Sequence, residues 1–125
     1  MLKHDEFRKG GRVSVWIGNF ASDIELDDYL NIQRTFEKDF DFEINERDMP
    51  ESKVEEEAVP IAKLVEGFSW ADSYAGAVAR LAEERGVNQA TTMVIFINFE
   101  YNSERVKCNP DSLLKFLGVV SFGVQ

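Results

Sequence analysis

The sequence predicts an α+β fold: a compact single-domain sandwich in which a mainly antiparallel sheet of about four strands packs against about three helices. Three observations carry this. Val13, Val15 and Ile17 alternate with Ser14 and Trp16, the period-two pattern of a strand. Residues 91–101 repeat it with Met93, Ile95, Ile97 and Phe99 on one face and Val94 and Phe96 on the other. Both faces of that strand are apolar at its start, so it belongs at the centre of a sheet covered on both sides. Between the two runs, Leu26, Tyr29, Leu30 and Phe36 recur at helical spacing.

Taken in order, residues 1–12 are polar and contain Gly10-Gly11, so they read as a loosely ordered leader before a single domain over 13–125. The first strand ends at Gly18-Asn19. Ser22 is a good helix N-cap, with Glu25 three residues on to complete a capping box, and the helix is expected over 22–36. Residues 39–45 alternate acid and apolar. They predict a strand with Phe40, Phe42 and Ile44 inward and Asp39, Asp41 and Glu43 outward. Residues 46–57 contain Pro50 and have no clear period, which suggests an exposed acidic connection with room for one turn of helix. Pro60 suits the first turn of a short helix ended by Gly67. Ser69 and Asp72 open another, with Tyr74, Val78, Leu81 and Ala82 as its buried stripe and Gly86 as its C-cap. After the central strand comes a polar, turn-rich stretch, and then residues 113–122 resume strand composition. Gly118 is a bulge or close-approach point there; a helical turn after Pro110 is the competing reading.

Charge is the most uneven property of the chain. Residues 23–57 hold 14 of the 23 Asp/Glu but only 4 of the 14 Lys/Arg, a net of −10 against −9 for the whole chain. Such a field attracts a cationic partner and repels nucleic acid. A pI near 4.6 argues against binding to a phosphate backbone. The composition, 44% hydrophobic with ten Phe, is that of a folded protein. With one cysteine, Cys108, no intramolecular disulfide is possible, which suits a reducing cytoplasm. No apolar run has membrane-spanning length and the N-terminus lacks a signal-peptide core, so a soluble cytoplasmic protein is expected.

Catalytic chemistry finds little support. His4, the single histidine, falls in the leader and reads as a solvated residue; Cys108 has no second Cys and no nearby His in sequence. Zinc needs more Cys/His ligands than these two. Asp39, Asp41 and Glu43 share a strand face on this reading, but a calcium loop needs a Gly where Ile44 stands. No glycine-rich phosphate loop is present. Trp16 and Trp70 read as packing residues. The expectation is no catalytic residue, no metal and no cofactor.

The run Val13-Ser14-Val15-Trp16-Ile17-Gly18-Asn19-Phe20, followed by Ser22 and Leu26-Asp27-Asp28-Tyr29-Leu30, resembles the opening of the immunity protein 22 family of bacterial polymorphic toxin systems. Pro60-Ile61, Leu64-Val65, Gly67-Phe68-Ser69 and Ser73-Tyr74 are similar to its middle. The strand at 93–101 and Leu114-Lys115-Phe116-Leu117-Gly118-Val119 resemble its last elements. The resemblance spans roughly 13–122 and carries no family-defined residue into 39–57. It implies a cytoplasmic, non-enzymatic inhibitor that neutralises a cognate toxin domain, often a nuclease delivered by a neighbouring cell. A nuclease needs a basic groove for its substrate, so the charge pattern fits this independently. The predicted partner is a toxin C-terminal domain with a basic surface, bound by a monomer one to one. Asp23, Glu25, Asp27, Asp28, Asp39, Asp41, Glu43, Glu46, Asp48, Glu51, Glu55, Glu56 and Glu57 are the candidate contact residues. A nucleic-acid-mimicking regulator of a DNA-binding protein is the alternative, and a small carboxylate-dependent hydrolase a more distant one.

Overall fold

The computed structural model describes residues 1–122. Its strands are β1 (Leu2–Lys3), β2 (Arg8–Gly18), β3 (Phe42–Glu43), β4 (Glu51–Pro60), β5 (Gln89–Phe99) and β6 (Lys115–Ser121). Its α-helices are α1 (Asp23–Asp27), α2 (Thr35–Phe40), α3 (Ile61–Leu64) and α4 (Ala75–Glu84). Four strands form an antiparallel sheet in the order β4-β5-β2-β6, and β1 pairs with β3 in a small parallel sheet. The α+β architecture read from the sequence is the one observed.

The alternation in β2 and β5 builds two cores, one on each face of the sheet. Val13, Val15, Ile17, Met93 and Ile95 face α3 and α4, where they meet Leu64, Tyr74, Val78 and Ala82. Trp16, Val94 and Phe96 face the other way, onto Leu26, Tyr29, Phe36, Phe40 and Phe42. Trp16 is wholly buried, with the rings of Phe36, Phe40, Phe96, Tyr101 and Phe116 at centroid distances of 4.9–5.6 Å. Such pairs add about 0.5–1.5 kcal/mol each beyond the area they bury. Gly118 is the close-approach point expected. The β2–β6 register shifts beside it, and a Cβ there would come within 2.6 Å of Leu81 Cδ2.

Several expectations are corrected. The leader is not loose: β1, a 3-10 turn at His4–Phe7 and the start of β2 occupy it, because His4 and Phe7 are apolar enough to pack against Phe99. His4 is therefore buried rather than solvated. The helix expected over 22–36 is broken into α1, a π-turn at Asp28–Ile32 and α2, with Arg34 left-handed at φ 55° between them. A left-handed Arg costs about 1–2 kcal/mol, offset by its bidentate ion pair with Glu37, whose carboxylate also accepts the Ile44 N–H at 2.7 Å. The strand expected over 39–45 shrinks to two residues, since α2 runs through Phe40 and Asp41 turns the chain at φ 59°.

The stretch read as an acidic connection contains a full edge strand, β4. Its hydrogen bonding to β5 overrides the poor strand propensity of its glutamates. The helix expected from Ser69 begins with a 3-10 turn at Ala71–Ser73 and becomes α-helical only at Ala75. A simple turn, not a helical one, follows Pro110.

Candidate partner-binding surface

The row Gly18, Thr92 and Val54 runs across β2, β5 and β4 near one end of the sheet. Beyond it the chain is tied down by short contacts. Phe20 N–H donates to Thr92 Oγ1 at 3.0 Å, and Thr91 Oγ1 donates to the Phe20 carbonyl at 2.8 Å. These fix where α1 begins. Ser22 caps it by accepting the Glu25 N–H at 3.2 Å, while Glu25 reaches back to the Ala21 N–H at 3.1 Å. The capping pair is thus the expected one, with Glu25 gripping one residue earlier than a capping box requires.

From this end α1 presents Asp23, Glu25, Asp27 and, just past its last residue, Asp28, all exposed. α1 also packs beside β4. There the β4–β5 register jumps from Val54↔Thr92 to Val59↔Ala90, so that three residues more of β4 than of β5 lie between the two pairs. The extra chain bulges outward and carries Glu55, Glu56 and Glu57; Glu56 and Glu57 are exposed and Glu55 pairs with Lys53 at 3.3 Å. A bulge and a run of charge are what keeps an edge strand from pairing with another chain. Two acidic segments some thirty residues apart in sequence are thereby brought to one end of the fold.

The other six candidate residues are placed elsewhere. Asp39, expected to face outward, is buried: its carboxylate accepts Tyr29 Oη at 2.6 Å and Asn109 Nδ2 at 2.9 Å. That leaves no outward carboxylate there for a partner. Asp41 Oδ2 accepts the Lys107 N–H at 3.1 Å, and Glu51 accepts the Ser69 N–H at 2.9 Å. Glu43 and Glu46 are exposed near Arg34, whose guanidinium is held above its ordinary pKa first by Glu37 and then in smaller part by these two. Asp48 is bridged to Arg8 at 2.7 Å. Asp39, Asp41 and Glu43 therefore do not share one face and make no joint metal site.

His4, Asp5 and Asp48 do place ligand atoms within 4.8 Å of one another. The Arg8 guanidinium already bridges both carboxylates, each at 2.7 Å, so a cation there would have to displace it. Burial is the largest cause holding Tyr29, Tyr74 and Tyr101 above the ordinary tyrosine range, so none is an acid–base group near neutrality. Cys108 is half-buried with its Sγ 2.8 Å from Tyr101 Oη.

Beside the acidic end lies an open cleft of about 700 Å³. Phe20 and Tyr29 are its buried members, Ile24 and Leu113 its exposed apolar ones, and Glu25 and Asp28 its carboxylates. Ile24 is 82% exposed and Leu113 65%. Leu113 sits there because Gly18 has no side chain: a Cβ on Gly18 would lie 2.9 Å from the Leu113 carbonyl. The sequence reading missed both residues. Ile24 carried a signal, an apolar residue inside Asp-Ile-Glu-Leu-Asp-Asp and nearly opposite Leu26 on a helix.

Comparison with family models places the chain among the immunity proteins, the class its opening residues resemble. The chain belongs to the immunity protein 22 family, whose model matches residues 13–123. Membership implies a cognate toxin as partner and suggests a non-enzymatic role. No curated protein and no solved structure shows significant similarity to it. Among the described residues, no helix is long and apolar enough to cross a membrane.

Proposed function

We propose that this chain binds and neutralises a cognate toxin domain in the cytoplasm, one to one, and that the acidic end of the sheet meets a basic surface on that toxin. The observation that carries this is the convergence of Asp23, Glu25, Asp27, Asp28, Glu55, Glu56 and Glu57 at one end of the fold. Solubility needs no such clustering, and like charges this dense cost stability by self-repulsion. A toxin that cleaves nucleic acid carries the basic groove such a surface complements. The acidic end then accelerates encounter, while each rim charge contributes about 1 kcal/mol or less to affinity. Asp39, Asp41, Asp48 and Glu51 are occupied within the fold and take a structural role on this reading.

The test is co-expression with the C-terminal toxin domain encoded beside this chain's gene. Growth rescue, together with recovery of a one-to-one complex, is expected. Toxicity unchanged by the chain would overturn the proposal.

A further inference from the structure

We infer that the cleft beside α1 is a socket for an apolar side chain of the toxin that is flanked by Lys or Arg, an inference that rests on the immunity reading above. Its volume, about 700 Å³, falls within the range of about 300–1,000 Å³ typical of binding pockets. That is room for a short segment rather than one side chain. Ile24 and Leu113 stand in water while lining it, and apolar side chains around a concavity with a few convergent polar groups are the usual make-up of a binding pocket.

The charge of the lining selects the occupant. Glu25 and Asp28 line the cleft together with Asn19, Thr35 and apolar residues, and no Lys, Arg or His is among them. Among the described residues the Asp28 carboxylate has no hydrogen-bond or ion-pair partner. Asp23 and Asp27 continue the negative charge along the same helix. A second copy of this chain would bring the same carboxylates face to face, and like charges across an interface cost affinity. An anionic ligand is repelled in the same way. A cationic side chain suits the site, because its aliphatic stem lies along Ile24 and Leu113 while its head reaches Asp28. The apolar residue between two such side chains fills the socket over Phe20 and Tyr29. The socket thus supplies the desolvated anchor that holds the complex, and the outer carboxylates supply encounter.

The test is the binding of the adjacent-gene toxin domain to the full chain and to the Ile24→Ala/Leu113→Ala double variant, with association and dissociation rates measured separately. Both side chains are exposed, so the variant folds. Expected is a loss of affinity of about thirtyfold or more, the size of an interface anchor, carried by the dissociation rate. Binding of both forms within threefold overturns the socket and leaves the immunity reading standing. A wild-type chain that binds no toxin overturns both. Concentration-dependent self-association that the double variant abolishes shows a second copy in the socket, and overturns it too.

Discussion

Asp39 illustrates how far a carboxylate in the acidic stretch can be from a surface role. It is 6% exposed and its two oxygens accept the Tyr29 hydroxyl at 2.6 Å and the Asn109 amide at 2.9 Å. Asp39→Ala strands both donors. Tyr29 is buried, so its hydroxyl loses a partner that water cannot replace, at about 1–3 kcal/mol. Asn109 is exposed and recovers hydration, so its share is smaller. Its N–H still donates to the Asp39 carbonyl at 2.8 Å, a backbone contact the substitution leaves intact. The expected destabilisation is about 2–4 kcal/mol. At a urea dependence of about 1.5 kcal/mol per molar, the midpoint falls by roughly 1.3–2.7 M.

Equilibrium unfolding followed by Trp fluorescence is the assay, since Trp16 is wholly buried against Phe36 and Phe40. Asp28→Ala is the control: that carboxylate is partnerless among the described residues, and the midpoint should move by no more than about 0.5 kcal/mol equivalent. An Asp39→Ala protein as stable as wild type, or an Asp28→Ala protein equally damaged, would refute the division of the acidic residues into structural and surface groups.

Three further outcomes follow from particular contacts. Gly118→Ala places a methyl 2.6 Å from Leu81 Cδ2 at a backbone φ of 150°, and should destabilise by about 2–4 kcal/mol. Adding Leu81→Ala relieves the collision but not the backbone strain, so a double variant more stable than the Gly118 variant alone is expected in thermal melts. Asp5 is held at about 2, below its ordinary 3.8, by hydrogen bonds from Arg8, His4 and Asn45 in that order. Its contribution is complete above the ordinary value and disappears as pH falls through about 2. Amide exchange over residues 2–8 should therefore rise in that window, a step absent from Asp5→Asn. The three tyrosines sit above their ordinary 10.0, so the unfolded chain ionises first and stability should fall as pH rises past that value. Tyrosinate absorbance appearing in the folded protein near pH 10 would contradict their burial.

The parts of this fold that were legible in the sequence are those where one local pattern decides the outcome. Val13, Val15 and Ile17, and the doubly apolar Met93–Phe96 run, could occupy only a sheet between two cores, and they do. Ser22 and Gly118 announced a cap and a close approach by their own chemistry. What was hidden depends on partners distant in sequence. β4 is a strand because β5 offers it a ladder, not because Glu55-Glu56-Glu57 favour extension. The break at Arg34 is held by Glu37, and nothing marks Arg as a left-handed residue in advance. His4 is buried because Phe96 and Phe99 meet it from another strand. At the candidate surface the acidity was plain, but which carboxylates converge was not. Asp39 and Glu57 look alike in sequence, and only the bulge in β4 and the hydroxyl of Tyr29 separate them.

The claim that the converged carboxylates guide the toxin is tested most directly by its association rate across ionic strength. The comparison is between Asp23→Lys/Asp28→Lys/Glu56→Lys/Glu57→Lys and a charge-matched control, Glu43→Lys/Glu66→Lys/Asp72→Lys/Glu104→Lys, at exposed positions outside the converged group. The account predicts that the first set slows association steeply at low salt and flattens its salt dependence, while the control keeps most of the wild-type slope. Equal slopes for the two sets would mean that net charge alone matters, and would contradict a docking surface at the acidic end.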